Sequence, residues 1–180
     1  MICVTIGNCS VEECIAALKA LEFAEIRMDA IKPSEEEVKR IFSQSVKLIA
    51  TCRPGSLDDE KRKSLLKTAI DSGAAFVDVE VESSDSYKTE LVEKAKSRKC
   101  KVVMSYHNQD RSPARGELEQ IAEWCFESGA DIAKIACKVI TIRDNARLLG
   151  LLDSERKIVV IGMGDQGRIT RVIAPLMGSP

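Results

Sequence analysis

Hydrophobic and polar positions fall into a phrase that recurs along the chain: a short apolar, β-branched run, then a segment with helical periodicity and an acidic or hydroxyl start. Ile2 to Ile6 is the first run. Ser10-Val11-Glu12-Glu13 then has the Ser-x-x-Glu spacing of a capping box, in which side chain and backbone satisfy each other's orphan donors, and predicts a helix to about Ala20. Ala24 to Met28 is the second strand, and Ser34-Glu35-Glu36-Glu37 opens the second helix. Lys47 to Cys52 is followed by a helix from Asp58 to Ser72 that Gly73 closes. The remaining strands are predicted at Phe76 to Val81, Val102 to His107, Asp131 to Ala136 and Lys157 to Ile161. Helices follow them over Asp85 to Arg98, Arg115 to Ser128 with a stop at Gly129, from Thr141, and over Gly167 to Leu176.

Strands that alternate with helices at intervals of roughly 25 residues specify an α/β fold of parallel strands with right-handed crossovers. So regular a period favours a (β/α)8 TIM barrel over an open doubly wound sheet, which calls for a glycine-rich turn after its first strand where this chain has only Gly7-Asn8-Cys9. The spacing puts the eighth βα unit beyond Pro180, so residues 1–180 are expected to form a single barrel domain that is short at its C-terminus.

Composition narrows the class. A chain of 180 residues, 44% hydrophobic and 31% charged, suits one globular domain with a sizeable core. Its formal net charge of -1 gives no electrostatic footprint for nucleic acid or anionic lipid, and a small polar ligand fits better. No run approaches the roughly 18 apolar residues of a membrane helix, and Met1 leads into a strand instead of a signal sequence. Seven scattered cysteines without a CxxC pair, and a single histidine, suggest reduced, buried thiols, a cytoplasmic setting, no metal and no cofactor.

The chemistry centres on Asp131-Ile132-Ala133-Lys134-Ile135-Ala136, where one lysine interrupts an apolar strand. Such a lysine either snorkels to a surface or is kept neutral, and a neutral amine attacks carbonyls. The preceding strand ends in His107, so two neighbouring parallel strands would bring an amine and an imidazole to one end of the sheet. In Glu25-Ile26-Arg27-Met28-Asp29 the period of two sends the three ionisable groups to one face, as an ion-pair ladder or as ligands for something polar. Arg53 closes the third strand, and Asp78 and Glu80 share a face of the fourth, where they could simply neutralise nearby cations. Gly162-Met163-Gly164 and the helix after it, which carries Arg171, could hold an anion, with phosphate the first competitor. An amine, an imidazole and Arg27, Arg53 and Arg171 at one barrel mouth describe a site for an anionic ketone or aldehyde handled through an imine.

Glu25-Ile-Arg-Met-Asp29, Thr51-Cys-Arg53-Pro, Val77-Asp78-Val-Glu80, Ser105-Tyr-His107-Asn, Lys134-Ile-Ala and Gly162-Met-Gly with Thr170-Arg171 together resemble the ordered signatures of type I 3-dehydroquinate dehydratase. The resemblance implies a hydro-lyase of the shikimate pathway that makes 3-dehydroshikimate from 3-dehydroquinate. It makes Lys134 the Schiff-base lysine and His107 the group that removes the α-proton and later protonates the departing hydroxyl. It also makes Arg171 the carboxylate ligand and Glu25, Arg27 and Arg53 the residues around the hydroxyls and polar ring edge, with Asp29, Asp78 and Glu80 in support. The family carries Glu-Gly-Gly after the third-strand arginine to orient its histidine. Here the segment is Arg53-Pro-Gly-Ser-Leu-Asp58-Asp59, which leaves Asp58 or Asp59 to substitute. The family's eighth strand and lid have no counterpart before Pro180. A class I aldolase or transaldolase-like lyase and a catalytically impaired binding relic are the alternatives, and a homodimer is left open.

Overall fold

The computed structural model describes residues 2–180, and Met1 lies outside the described residues. Seven strands alternate with helices, and the sheet order is the chain order, β1 through β7, as a (β/α)8-type fold requires. The strands are β1 Val4–Ile6, β2 Phe23–Arg27, β3 Lys47–Thr51, β4 Phe76–Glu80, β5 Lys101–Asn108, β6 Ile132–Lys138 and β7 Ile158–Met163. The helices are α1 Val11–Leu18, α2 Met28–Ile31, α3 Glu35–Phe42, α4 Asp59–Asp71, α5 Asp85–Ser97, α6 Arg115–Glu127, α7 Ile142–Gly150 and α8 Thr170–Leu176. The chain falls into two compact units, one of residues 2–79 and 83–102, the other of residues 80–82 and 103–180.

In the first unit β1 to β4 pair in parallel, with Glu25 opposite Thr5 on β1 and Ile49 on β3, and Thr51 opposite both Arg27 and Asp78. Its core is the apolar faces of these strands and of α1, α3, α4 and α5: Leu18, Ile26, Ile41, Leu48, Leu65, Leu66, Ile70 and Leu91 are all essentially sealed from solvent. Full burial of such side chains is worth about 1.5–3 kcal/mol each, which holds the helices on the sheet. In the second unit β5, β6 and β7 pair in parallel, and Met104, Leu118, Cys125, Ile135, Leu148 and Val160 fill the space under α6 and α7.

The local signals in the sequence act as expected. Ser10 with Glu13, Ser34 with Glu37 and Thr141 with Asp144 all form capping boxes, and Asp58 and Ser84 cap α4 and α5. Gly73 and Gly129 follow α4 and α6 with φ of +108° and +98°, where a Cβ would be strained.

Two stretches depart from the expectation. The alternation in the second strand stops at Arg27, and Met28–Ile31 is a helical turn whose C-cap Lys32 is left-handed at φ 57°. Asp29 therefore leaves the strand face assigned to it, and from the turn its carboxylate pairs with Arg27 NH2 at 2.6 Å. The final helix begins at Thr170, after a 3-10 turn over Asp165–Gly167, instead of at Gly167.

Candidate active site

In the first unit Glu25, Arg27, Asp29, Arg53 and Asp78 form one network of hydrogen bonds and ion pairs at the C-terminal ends of β2, β3 and β4. Glu25 is held from both sides: Thr5 donates to its Oε2 at 3.0 Å and Thr51 to its Oε1 at 2.9 Å. Arg53 reaches Asp78 with two nitrogens, NH1 to Oδ1 at 3.1 Å and NH2 to Oδ2 at 3.2 Å, and stands 4.0 Å from Glu25. The Asp78 side chain has no exposed surface and that of Arg53 is 15% exposed. This fork offsets the desolvation of a cation that would otherwise be very costly to bury.

Asp29 accepts from Arg27 Nε at 3.0 Å, from Arg27 NH2 at 2.6 Å and from the Arg53 backbone N–H at 3.1 Å. Burial pushes its carboxyl up, yet the donors from Arg27 and Arg53 outweigh burial and hold it below the ordinary carboxylate range. The same pair holds the Arg27 guanidinium above its usual value. A cavity of about 590 Å³ opens beside this network, lined by Thr5, Asn8, Arg27, Asp29, Lys32 and Ser56 among others. Asp58 and Asp59 are both committed to the start of α4. Asp58 accepts the Lys61 N–H at 2.8 Å as N-cap, and Asp59 pairs with Arg62 NH1 at 2.6 Å.

In the second unit the ladder fixes the relation of lysine and histidine. Ser105 pairs with Lys134 and His107 with Ala136, so Lys134 and His107 share a sheet face on adjacent strands, offset by two residues. Strand spacing and rise put their Cα atoms about 8 Å apart, which leaves room for a small carbonyl compound between amine and imidazole. Both residues are half-buried, and Ser105 and Ala136, their ladder partners on the same face, are sealed from solvent. Glu80, at the end of β4, belongs to this unit, and the Val81 N–H donates to Ser105 O at 2.9 Å beside it.

Arg171 sits on the first turn of α8 and donates from NH1 to Gly162 O at 2.8 Å. Thr170, fully buried, positions it: its hydroxyl accepts from the Gly162 N–H at 2.8 Å and donates to Gly167 O at 2.7 Å. Gly162 and Gly167 pack backbone on backbone, since a Cβ on Gly162 would lie 2.8 Å from Gly167 Cα. Asn145 Nδ2 on α7 adds a bond to Gln166 O at 2.9 Å. Of these bonds one ties up a loop N–H, that of Gly162, and the others fall on the carbonyls of Gly162, Gly167 and Gln166; beside them stands the Arg171 guanidinium.

The sequence assigns no role to Thr5, Thr51 or Thr170, although Thr51 and Thr170 stand within its motifs. Thr5 and Thr51 sit in register with Glu25 and Arg27 on β1 and β3, a signal visible only once neighbouring strands are aligned. Among the described residues, no group of three or more His, Cys, Asp or Glu is placed to hold a metal, and no helix is long and apolar enough to cross a membrane.

The sequence profile of the type I 3-dehydroquinase family matches residues 2–180. The 3-dehydroquinate dehydratase of Methanocaldococcus jannaschii is 32% identical over 189 residues, an alignment that covers 99% of this chain and 86% of that protein. The crystal structure of the type I enzyme from Clostridium difficile with covalently modified comenic acid superposes with a TM-score of 0.89 at 24% identity, covering 98% of this chain and 80% of the other. That of the 3-dehydroquinate dehydratase from Aquifex aeolicus does so with a TM-score of 0.83 at 26% identity, covering 99% and 85%. With the profile spanning every described residue and the strand order and lysine and histidine strands in place, this chain belongs to the type I 3-dehydroquinase family.

Proposed function

We infer that the protein is a 3-dehydroquinate dehydratase that eliminates water from 3-dehydroquinate through an imine on Lys134. The observation that carries this reading is the β5/β6 register, which sets a half-buried lysine and the chain's single histidine on one face of adjacent strands in a chain of this family.

In this mechanism neutral Lys134 adds to the substrate ketone and expels water to give an iminium. The iminium withdraws electrons from the neighbouring C–H, and His107 takes that proton, leaving an enamine. The enamine electrons expel the hydroxyl as His107 returns a proton to it, so a second water departs. Hydrolysis of the conjugated iminium consumes one water and frees Lys134. The net change is loss of one water, and His107 ends as it began.

The first unit serves binding. Glu25, held by two threonine hydroxyls, accepts from substrate hydroxyls, and Arg27 and Arg53 donate to the polar ring edge; Asp29 and Asp78 hold those arginines in place. Arg171 takes the carboxylate, and Glu80 has a supporting role as a counter-charge to nearby cations. No metal or organic cofactor enters the scheme. We place the reaction in the cytoplasm, on the reading of seven cysteines outside any disulfide, and treat the chain as one catalytic domain whose dimerisation is measurable by sedimentation.

Borohydride with 3-dehydroquinate should leave a reduced adduct on Lys134 by peptide mapping, lost in Lys134→Ala. His107→Ala should still be trapped while turnover falls by orders of magnitude, because amine and base perform separate steps. A label on another lysine, or near normal turnover without His107, would overturn the assignment.

A further inference from the structure

We propose that Lys138 is a second cation for the substrate carboxylate, acting beside Arg171 to set specificity for an acid; this rests on the functional reading above. Three observations in the second unit converge on it. First, Lys134, Ala136 and Lys138 alternate on one face of β6, and Lys138 pairs in the ladder with Met163 at the C-terminal end of β7. By strand rise it lies about 13 Å beyond Lys134 toward the end of the strand where substrate must extend from the imine.

Second, its side chain lies against the glycine turn. Nζ, Cε and Cδ would stand 3.2, 3.4 and 3.6 Å from a Cβ on Gly164, whose φ of +81° and missing side chain leave room for the lysine stem. Arg171 is anchored two residues away, on Gly162 O at 2.8 Å. Two cations are thus gathered around Gly162-Met163-Gly164.

Third, the carboxylates close by in sequence are engaged elsewhere. Asp165 pairs with Arg168 at 2.9 Å and Asp144 with Arg147 at 2.8 Å. Among the described residues neither Lys138 nor Arg171 has an ion-pair partner, so an incoming carboxylate meets an ammonium and a guanidinium with donors to spare.

The test is steady-state kinetics on 3-dehydroquinate with Lys138→Met and Lys138→Arg, alongside borohydride trapping at Lys134. Lys138→Met should raise KM about fivefold, near the ceiling for a solvent-exposed ion pair, with kcat within about twofold. Lys138→Arg should recover most of the loss, and raising salt should raise the wild-type KM more than that of Lys138→Met. An unchanged KM in Lys138→Met with normal trapping refutes the role of Lys138 and leaves the imine reading standing. So does a drop in kcat with a displaced pH profile at constant KM, which would mean that Lys138 acts only on the Lys134 amine. Failure of the wild type to be trapped at Lys134 refutes the functional reading, and this inference falls with it.

Discussion

Replacing Asp78 by asparagine should destabilise the protein by about 3–5 kcal/mol, the usual effect of removing one member of a buried ion pair. The magnitude follows from geometry. The Asp78 side chain is fully enclosed, and it takes both terminal nitrogens of an Arg53 side chain that is itself 15% exposed, at 3.1 and 3.2 Å. Asparagine keeps the volume but offers one neutral acceptor in place of the carboxylate, so Arg53 retains its charge and loses one arm of the fork, with Glu25 4.0 Å away. For a chain of 180 residues, where 1 kcal/mol corresponds to about 2–4 °C, the melting temperature should fall by roughly 6–20 °C. Circular dichroism in thermal and urea unfolding measures this directly. The double variant Arg53→Met with Asp78→Asn removes both members of the fork, and should be less destabilised than the sum of the singles by about 0.5–3 kcal/mol. A fall of less than about 2 °C in Asp78→Asn, or strict additivity in the cycle, would refute the view that this fork neutralises a buried cation.

Three further outcomes are expected. At pH 8 a disulfide reagent should modify Cys3 quickly and Cys9 slowly, while Cys14, Cys52, Cys100, Cys125 and Cys137 react only on unfolding; burial drives the Cys14 and Cys52 thiols to about 11 and that of Cys137 to about 12. Asp29 has a folded pKa below its unfolded value of about 3.9, so its contribution is complete above that value and is lost as pH falls through the folded one. Urea midpoints of Asp29→Asn should accordingly be lower than wild type at pH 7 and converge with it below about pH 4, and parallel curves would contradict the linkage. Thr170→Val leaves the buried Gly162 N–H and Gly167 O without their shared hydroxyl, which should cost about 1–3 kcal/mol and raise KM by moving Arg171, as stability and kinetics together would report.

The amino-acid sequence by itself determined the succession of elements. Capping boxes at Ser10, Ser34 and Thr141, glycine stops at Gly73 and Gly129, and runs of β-branched residues act within a turn or two of their own position. Such signals need no distant partner to be read. The lysine in an apolar strand and the lone histidine at the end of another were legible for the same reason, because a costly residue in a cheap context stands out.

Only the tertiary structure decided where charges settle. Asp29 turns back to Arg27 instead of continuing the strand face, Asp58 and Asp59 go to the helix start, and Arg53 selects Asp78 for its fork. Glu25 acquires its two threonine donors from strands about 20 and 26 residues away in sequence, and Thr170 locks a glycine pair to aim Arg171. Ion pairs and hydroxyl bonds have a reach of a few ångströms and no sequence period, so their partners are chosen by strand register and by which acceptors burial leaves unsatisfied.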